Sequence, residues 1–191
     1  QNVSYCFFGS KKHLMENIFQ SRRMPFYQFG EMLHLKCIPT EYWVPFICSR
    51  FEKYGKKITE GYASRICQVV KNHSSYVQQL AWNVMAETEK EVNEQSFKEG
   101  LKALLEQNSS LFIQQTEGLT TYQLNFIRLL CKDIHTGFTT KAVSEIYPLG
   151  SKSNVDRIKK CLIEKEIITI EKDGVSLADS VFELWFKREM M

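Results

Sequence analysis

The sequence is poor in the residues that interrupt helices, with nine glycines and four prolines in 191 residues. So few turn formers predict a helix-rich chain. No apolar run approaches the roughly 20 residues a membrane helix requires, so no membrane partner is expected. The first residues lack a basic segment followed by a long apolar stretch, so no signal peptide is read. There is no C-x-x-C pair, and the six cysteines at 6, 37, 48, 67, 131 and 161 have no zinc spacing with histidine. They read as reduced core cysteines of a cytoplasmic protein rather than disulfides or metal ligands. No nucleophile–base set or carboxylate pair stands out, which argues against an independent enzyme. The net charge of +3 permits nucleic-acid binding without arguing for it. The chain begins with Gln and is expected to be a piece of a longer protein.

What is present is a succession of helical periods. "VSYCFF", Val3 to Phe8, reads as a buried strand running into Gly9-Ser10 and a helix from Lys11 to about Phe19. "FGEMLHLKCIP" alternates enough to suggest a short strand. A helix is predicted from Glu41 to about Tyr54, capped by Thr40, with Phe46, Ile47, Phe51 and Tyr54 on one side and Gly55 ending it. Thr59 caps the next helix, with Tyr62, Ile66, Val69 and Val70 at helical spacing. A third helix runs from Ser75 to about Lys90, and a fourth starts at Asn93 and reaches about Thr116. These four predict a small bundle.

Gly118 marks a boundary, and Thr120 and Gln123 form a T-x-x-Q capping box. The helix that follows is expected to stop at Gly137. A short helix capped by Thr139 and a third opened by Ser153 and Asp156 come next. "IITIEKDGVSLAD" reads as a hairpin turning at Asp173-Gly174. Helix, helix, helix, hairpin is the winged helix-turn-helix order. The amphipathic "SVFELWFKRE" follows it and is too apolar for a solvated tail. The predicted fold class is therefore mainly α: a helical bundle followed by a winged helix-turn-helix domain with a small β-hairpin wing.

Taken in order, "CFFGSKKHLMENIF", "RRMPFY", "IPTEYWVPFICSRFEKYGKKIT", "NHSSYVQQLAWNV", "SNVDRIKKCLIEKEII" and "FELWFKR" resemble the C-terminal part of prokaryotic ATPases of the AAA+/STAND group, the archaeal ATPase family. The resemblance implies three parts: residues 1–30 as a remnant of the nucleotide-binding α/β domain, 31–117 as the helical lid, and 118–191 as the winged helix. It makes "VSYCFFGS" the fourth core strand of a sheet whose preceding half is absent. No G-x-x-x-x-G-K-[ST] occurs, so there is no loop to wrap phosphates, and no acidic strand end to hold Mg²⁺. ATP and Mg²⁺ are thus expected only for a longer protein, a P-loop ATPase whose N-terminal domain would be this chain's partner. An unpaired apolar strand would also favour self-association.

The resemblance assigns candidates, each with a plainer role beside it. Ser10 stands where such proteins place a γ-phosphate sensor, or it caps the helix from Lys11. Lys11 follows where an Arg often reads the nucleotide, although Lys gives no bidentate contact. Arg22 and Arg23 fall where an arginine finger is carried, or they are cations at a helix C-terminus. His73 and Tyr76 line a nucleotide cleft, or they are a helix-start histidine and a half-buried tyrosine. In the recognition helix Lys152, Arg157 and Lys160, with Ser153 and Asn154 at its start and Lys172 on the wing, are candidates for DNA contact. The interspersed acids Asp156, Glu164, Glu166, Glu171 and Asp173 leave the balance only slightly positive, and the resemblance implies the alternative, a winged helix docked on the nucleotide domain or on protein.

Overall fold

The computed structural model describes residues 3–9, 12–171 and 174–191. The chain divides into two compact units, Gln1–Lys36 and Cys37–Met191. In the first, helix α1 (Lys12–Gln20) is followed by a turn carrying Arg22 and Arg23. Phe7, Phe19 and Phe26 form a triangle of rings with centroids 5.7–6.1 Å apart. The predicted strand at residues 3–8 is not formed. These residues are exposed, Phe8 at 92%, and no described strand lies beside them to complete the hydrogen bonding of a sheet. The predicted strand over "EMLHL" is also absent, with Leu33 and Leu35 at 80% and 89% exposure.

The second unit opens with four helices: α2 (Thr40–Lys53), α3 (Glu60–Val69), α4 (Ser74–Ala86) and α5 (Glu94–Glu117). The Thr59 hydroxyl accepts from the Tyr62 N–H at the start of α3, and Asn93 and Ser96 form a reciprocal capping box on α5. Gly55, at φ +69°, ends α2 as expected. Thr40 does not cap it: its hydroxyl donates to Asn72 Oδ1 instead. Only Trp43, Ile47 and Phe51 of α2 are buried, whereas Phe46 and Tyr54 face outward. Helix α4 stops at Ala86 rather than Lys90. The Lys57 N–H bonds to the Lys90 carbonyl and the Val92 N–H to the Lys57 carbonyl, which requires an extended segment there. At Gly100 a methyl group would sit 2.7 Å from the backbone and side chain of Val84, so glycine sets the close approach of α4 and α5.

The remainder is α6 (Thr121–Cys131), α7 (Lys141–Ile146), α8 (Lys152–Glu164), strands β1 (Ile168–Glu171) and β2 (Gly174–Leu177), and α9 (Ser180–Glu189). The strands pair antiparallel, Ile168 opposite Leu177 and Ile170 opposite Val175. This order makes a winged helix domain, and the chain is mainly α with one two-stranded sheet among the described residues. The Thr120/Gln123 capping box forms as predicted. Helix α6 ends well before Gly137, because Asp133 takes the left-handed conformation at φ +60° and the Ile134 N–H closes back on the Leu129 carbonyl. Ser151 caps α8 rather than Ser153, and Thr140 rather than Thr139 stands before α7. On the hairpin, Gly174 lies against the His135 carbonyl, where a methyl group would approach to 2.8 Å. The Val175 N–H donates to the same carbonyl.

One contiguous apolar core runs through the whole second unit. All six cysteines are free thiols. Cys67 and Cys131 are buried, and burial raises their pKa values to about 11 and about 12, so they are not poised nucleophiles. Cys6 and Cys37 are exposed, against the expectation of core positions. No described helix is long and apolar enough to cross a membrane.

Candidate functional site

The described candidates fall in three places: the turn after α1, the start of α4, and α8. Ser10, Lys11 and Lys172 lie outside the described residues. Arg22 and Arg23 are exposed in the turn after α1. His73 and Tyr76 belong to the second unit and are brought together: His73 precedes α4 and its ring lies 4.6 Å from that of Tyr76.

The Tyr76 hydroxyl is committed to a contact the sequence did not reveal. It donates to Asp179 Oδ2 at 2.6 Å, across 103 residues of chain. The other carboxylate oxygen of Asp179 accepts the Val181 and Phe182 N–H groups and so caps α9. Burial, then the hydrogen bond to Asp179, raises the pKa of the Tyr76 phenol. Beside this pair the Ser180 hydroxyl donates to the Val70 carbonyl at the C-terminus of α3. Helix ends of opposite partial charge therefore meet, and an orphan carbonyl gains a donor.

Lys71, held in the left-handed region at φ +51°, reaches Glu183 at 2.7 Å, and Lys187 reaches the same carboxylate at 2.6 Å. Burial alone would raise the pKa of Glu183, but the two ammonium groups together outweigh it and the net shift is downward. That contribution to stability is present above the ordinary carboxylate range and is lost as pH falls through the lowered folded value. Further along α9 the Trp185 indole N–H donates to Ser109, while Phe112 packs on Phe182 and Trp185 with centroids 5.4 and 5.6 Å apart. Arg128 of α6 donates to the Met190 carbonyl past the end of α9. Helix α9 thus clamps the bundle to the winged helix.

The α8 face is different in kind. Val155, Ile158 and Leu162 are buried, while Lys152, Ser153, Arg157 and Lys160 are exposed. Asn154 is not free to read a base. Its Nδ2 donates to the Leu149 carbonyl at 2.7 Å and its Oδ1 accepts from Arg157 at 2.9 Å. Lys159 lies over the Phe138 ring. Three exposed cations, and no free base reader, are what this face offers a polyanion.

Residues 110–188 match a family described as a probable winged helix domain. The match begins inside α5, two residues before Phe112, whose ring packs on α9. No curated protein matches the sequence. Among solved structures the chain is similar to the Walker-type ATPase PABY2304 of Pyrococcus abyssi, at a TM-score of 0.67 and 12% identity. That likeness, one of fold, covers 91% of this chain and 50% of the other, so this chain spans about half the length of that protein.

The sequence pointed to Tyr76 but not to its partner. Asp179 ahead of an apolar run is a helix-start signal, yet it read as the end of the hairpin. Lys71 and Glu183, 112 residues apart, left no local signal.

Tyr76→Phe is expected to destabilise the protein by about 1.5–3 kcal/mol, the range for a hydrogen bond to a charged group. Asp179→Ala should cost more, because it also removes the cap. The double variant should fall short of the sum of the two, since they share one interaction. Urea denaturation checks all three.

Proposed function

We propose that this chain is the C-terminal regulatory part of an ATP-dependent switch ATPase of the AAA+/STAND type. On this reading residues 1–30 close the nucleotide-binding domain, 31–117 are its lid and 118–191 its winged helix. The observation that carries the proposal is the fold likeness over 91% of the chain to half of a Walker-type ATPase. The matched winged helix family at residues 110–188 supports it.

On this reading ATP and Mg²⁺ belong to a part of the protein outside this chain, whose sequence has no G-x-x-x-x-G-K-[ST] to wrap phosphates. Phosphate and metal binding are assigned to a domain outside this sequence. The role left to this part is mechanical. Nucleotide state sensed at the lid reaches the winged helix by rigid-body motion, and the α9 clamp is what makes the two move together.

Titrated with ATP and Mg²⁺ in a calorimeter, this chain alone is expected to show no micromolar binding. A stoichiometric isotherm would contradict the placing of the phosphate site elsewhere. In the coding sequence upstream, a phosphate-binding loop is expected within about one or two domain lengths, roughly 150–200 residues.

A second reading, duplex DNA binding by α8, is favoured by the exposed Lys152, Arg157 and Lys160. With Asn154 committed, such binding would be to phosphates and independent of sequence. Anisotropy at two salt concentrations is expected to show weak binding, and each cation removed from α8 should reduce the salt slope by about 0.9. Tight binding unchanged by Arg157→Ala with Lys160→Ala would remove α8 as the surface.

A further inference from the structure

Helices α2 and α4 both pack on α3, and between them lies a trough of about 580 Å³ on the outside of the bundle. Its floor is core: Ile47, Phe51 and Val77 are fully buried. Its walls are not, with Phe46, Tyr54 and Trp82 at 40%, 57% and 58% exposure. Large rings left in water along one groove mark an interaction site rather than a solvated face.

These rings are already fixed. Tyr54 and Trp82 meet edge to face across the trough at 6.2 Å, and Phe46 meets the buried Trp43 in the same way at 5.7 Å. An occupant would therefore find anchors whose ordering cost has been met in folding. The charge is one-sided as well. Arg50, its guanidinium 4.9 Å from the Phe46 ring centre, is the sole ionisable cation of the lining, and no Asp or Glu lines the trough. Arg50 makes no ion pair among the described residues. A guanidinium stacked on an aromatic ring in an acid-free groove, whose other polar side chains are the neutral amides Gln78, Gln79, Asn83 and Gln107, is complementary to a carboxylate.

The shape selects the occupant. Residues of α2 and its C-cap Tyr54 line the trough from position 43 to 54, with the i, i+3, i+4, i+7 spacing of a single face. That is about 16 Å of axis at 1.5 Å per residue, three turns of helix. A trough of that length between two helices suits a third helix, held by apolar anchors at the same spacing.

We infer that the α2–α4 trough is a docking groove for an amphipathic helix of a partner protein, about three turns long and bearing a carboxylate that pairs with Arg50. The groove is separate from the clamp, which uses Lys71, Tyr76, Ser109 and Phe112. The inference does not depend on any nucleotide.

The test uses the intact chain and a labelled, designed peptide of about 14–16 residues, with leucine and phenylalanine at i, i+3, i+4 and i+7. One version places glutamate where it meets Arg50, and its twin places lysine there. Fluorescence anisotropy is expected to show the glutamate peptide binding about tenfold more tightly than its twin, and Arg50→Glu reversing the order. Trp82→Ala should weaken the glutamate peptide about tenfold or more. Both changed residues are exposed, so circular dichroism should report an unaltered fold. Equal binding of the two peptides, or an order that Arg50→Glu does not reverse, would overturn the inference. So would no binding of either peptide at about millimolar concentration, far weaker than a specific groove gives. A Trp82-dependent dimer seen by light scattering, or displacement of the peptide by single-stranded oligonucleotide, would assign the trough to another occupant.

Discussion

Helix α9 has to be buried on two sides at once. Ser180, Val181, Phe182, Trp185 and Phe186 are all buried, half of a ten-residue helix. A winged helix domain covers one side, through α6 and β2, and α5 covers the other. Burying a large apolar side chain is worth about 1.5–3 kcal/mol, so a helix with four such groups cannot leave either cover without a large loss. The polar contacts at its start gain their meaning from this. Asp179, Ser180 and Glu183 each take a partner from the bundle, at Tyr76, Val70 and Lys71. They set the register of a helix that packing alone would hold less specifically.

This arrangement bears on how the second unit would work in a nucleotide-driven switch. A lid joined to a winged helix by a flexible linker could turn without moving it. Here the C-terminus of α3 and the N-terminus of α9 are hydrogen-bonded end to end, and α5 contributes Phe112 to the α9 contact. Displacement of the bundle is then displacement of the winged helix and of the cations on α8. Tyr76 acquires a role in that coupling whether or not a nucleotide approaches it, because its hydroxyl is already committed. Asn154 is likewise committed, to the start of its own helix, which leaves α8 with charge and without a base reader.

Much of the fold was legible because its signals are local. The helix start at Asn93, the capping box at Thr120, the helical periods of α3 to α6 and the alternating hairpin each lie within a few residues of chain. Helix ends were less legible where glycine was the expected sign. Gly55 does end α2, but α6, expected to run to Gly137, ends at Asp133 in the left-handed region, and α3 and α8 likewise end at non-glycine left-handed residues, Lys71 with Asn72 and Glu166. The apolar run at residues 3–8 carries the composition of a buried strand. A strand also needs neighbours, and composition does not report whether they are there. Positions Phe46 and Tyr54 read as core because their spacing follows that of Ile47 and Phe51. In the fold the stripe is wider than its cover, and the outer rings are left to the trough. The clamp lay beyond any window of sequence, since its polar pairs are 62 to 112 residues apart.

The claim that α9 makes the bundle and the winged helix one cooperative body is tested most directly by native-state hydrogen exchange on the intact chain, with and without Asp179→Ala. If the account is right, the slowest amides of α4 and α5 and those of α6 and α8 open with the same free energy. Asp179→Ala then lowers both sets together. If α6 and α8 keep their protection while only α9 amides are released, or if the two sets open independently in the unaltered chain, the two parts are separate bodies and the clamp does not couple them.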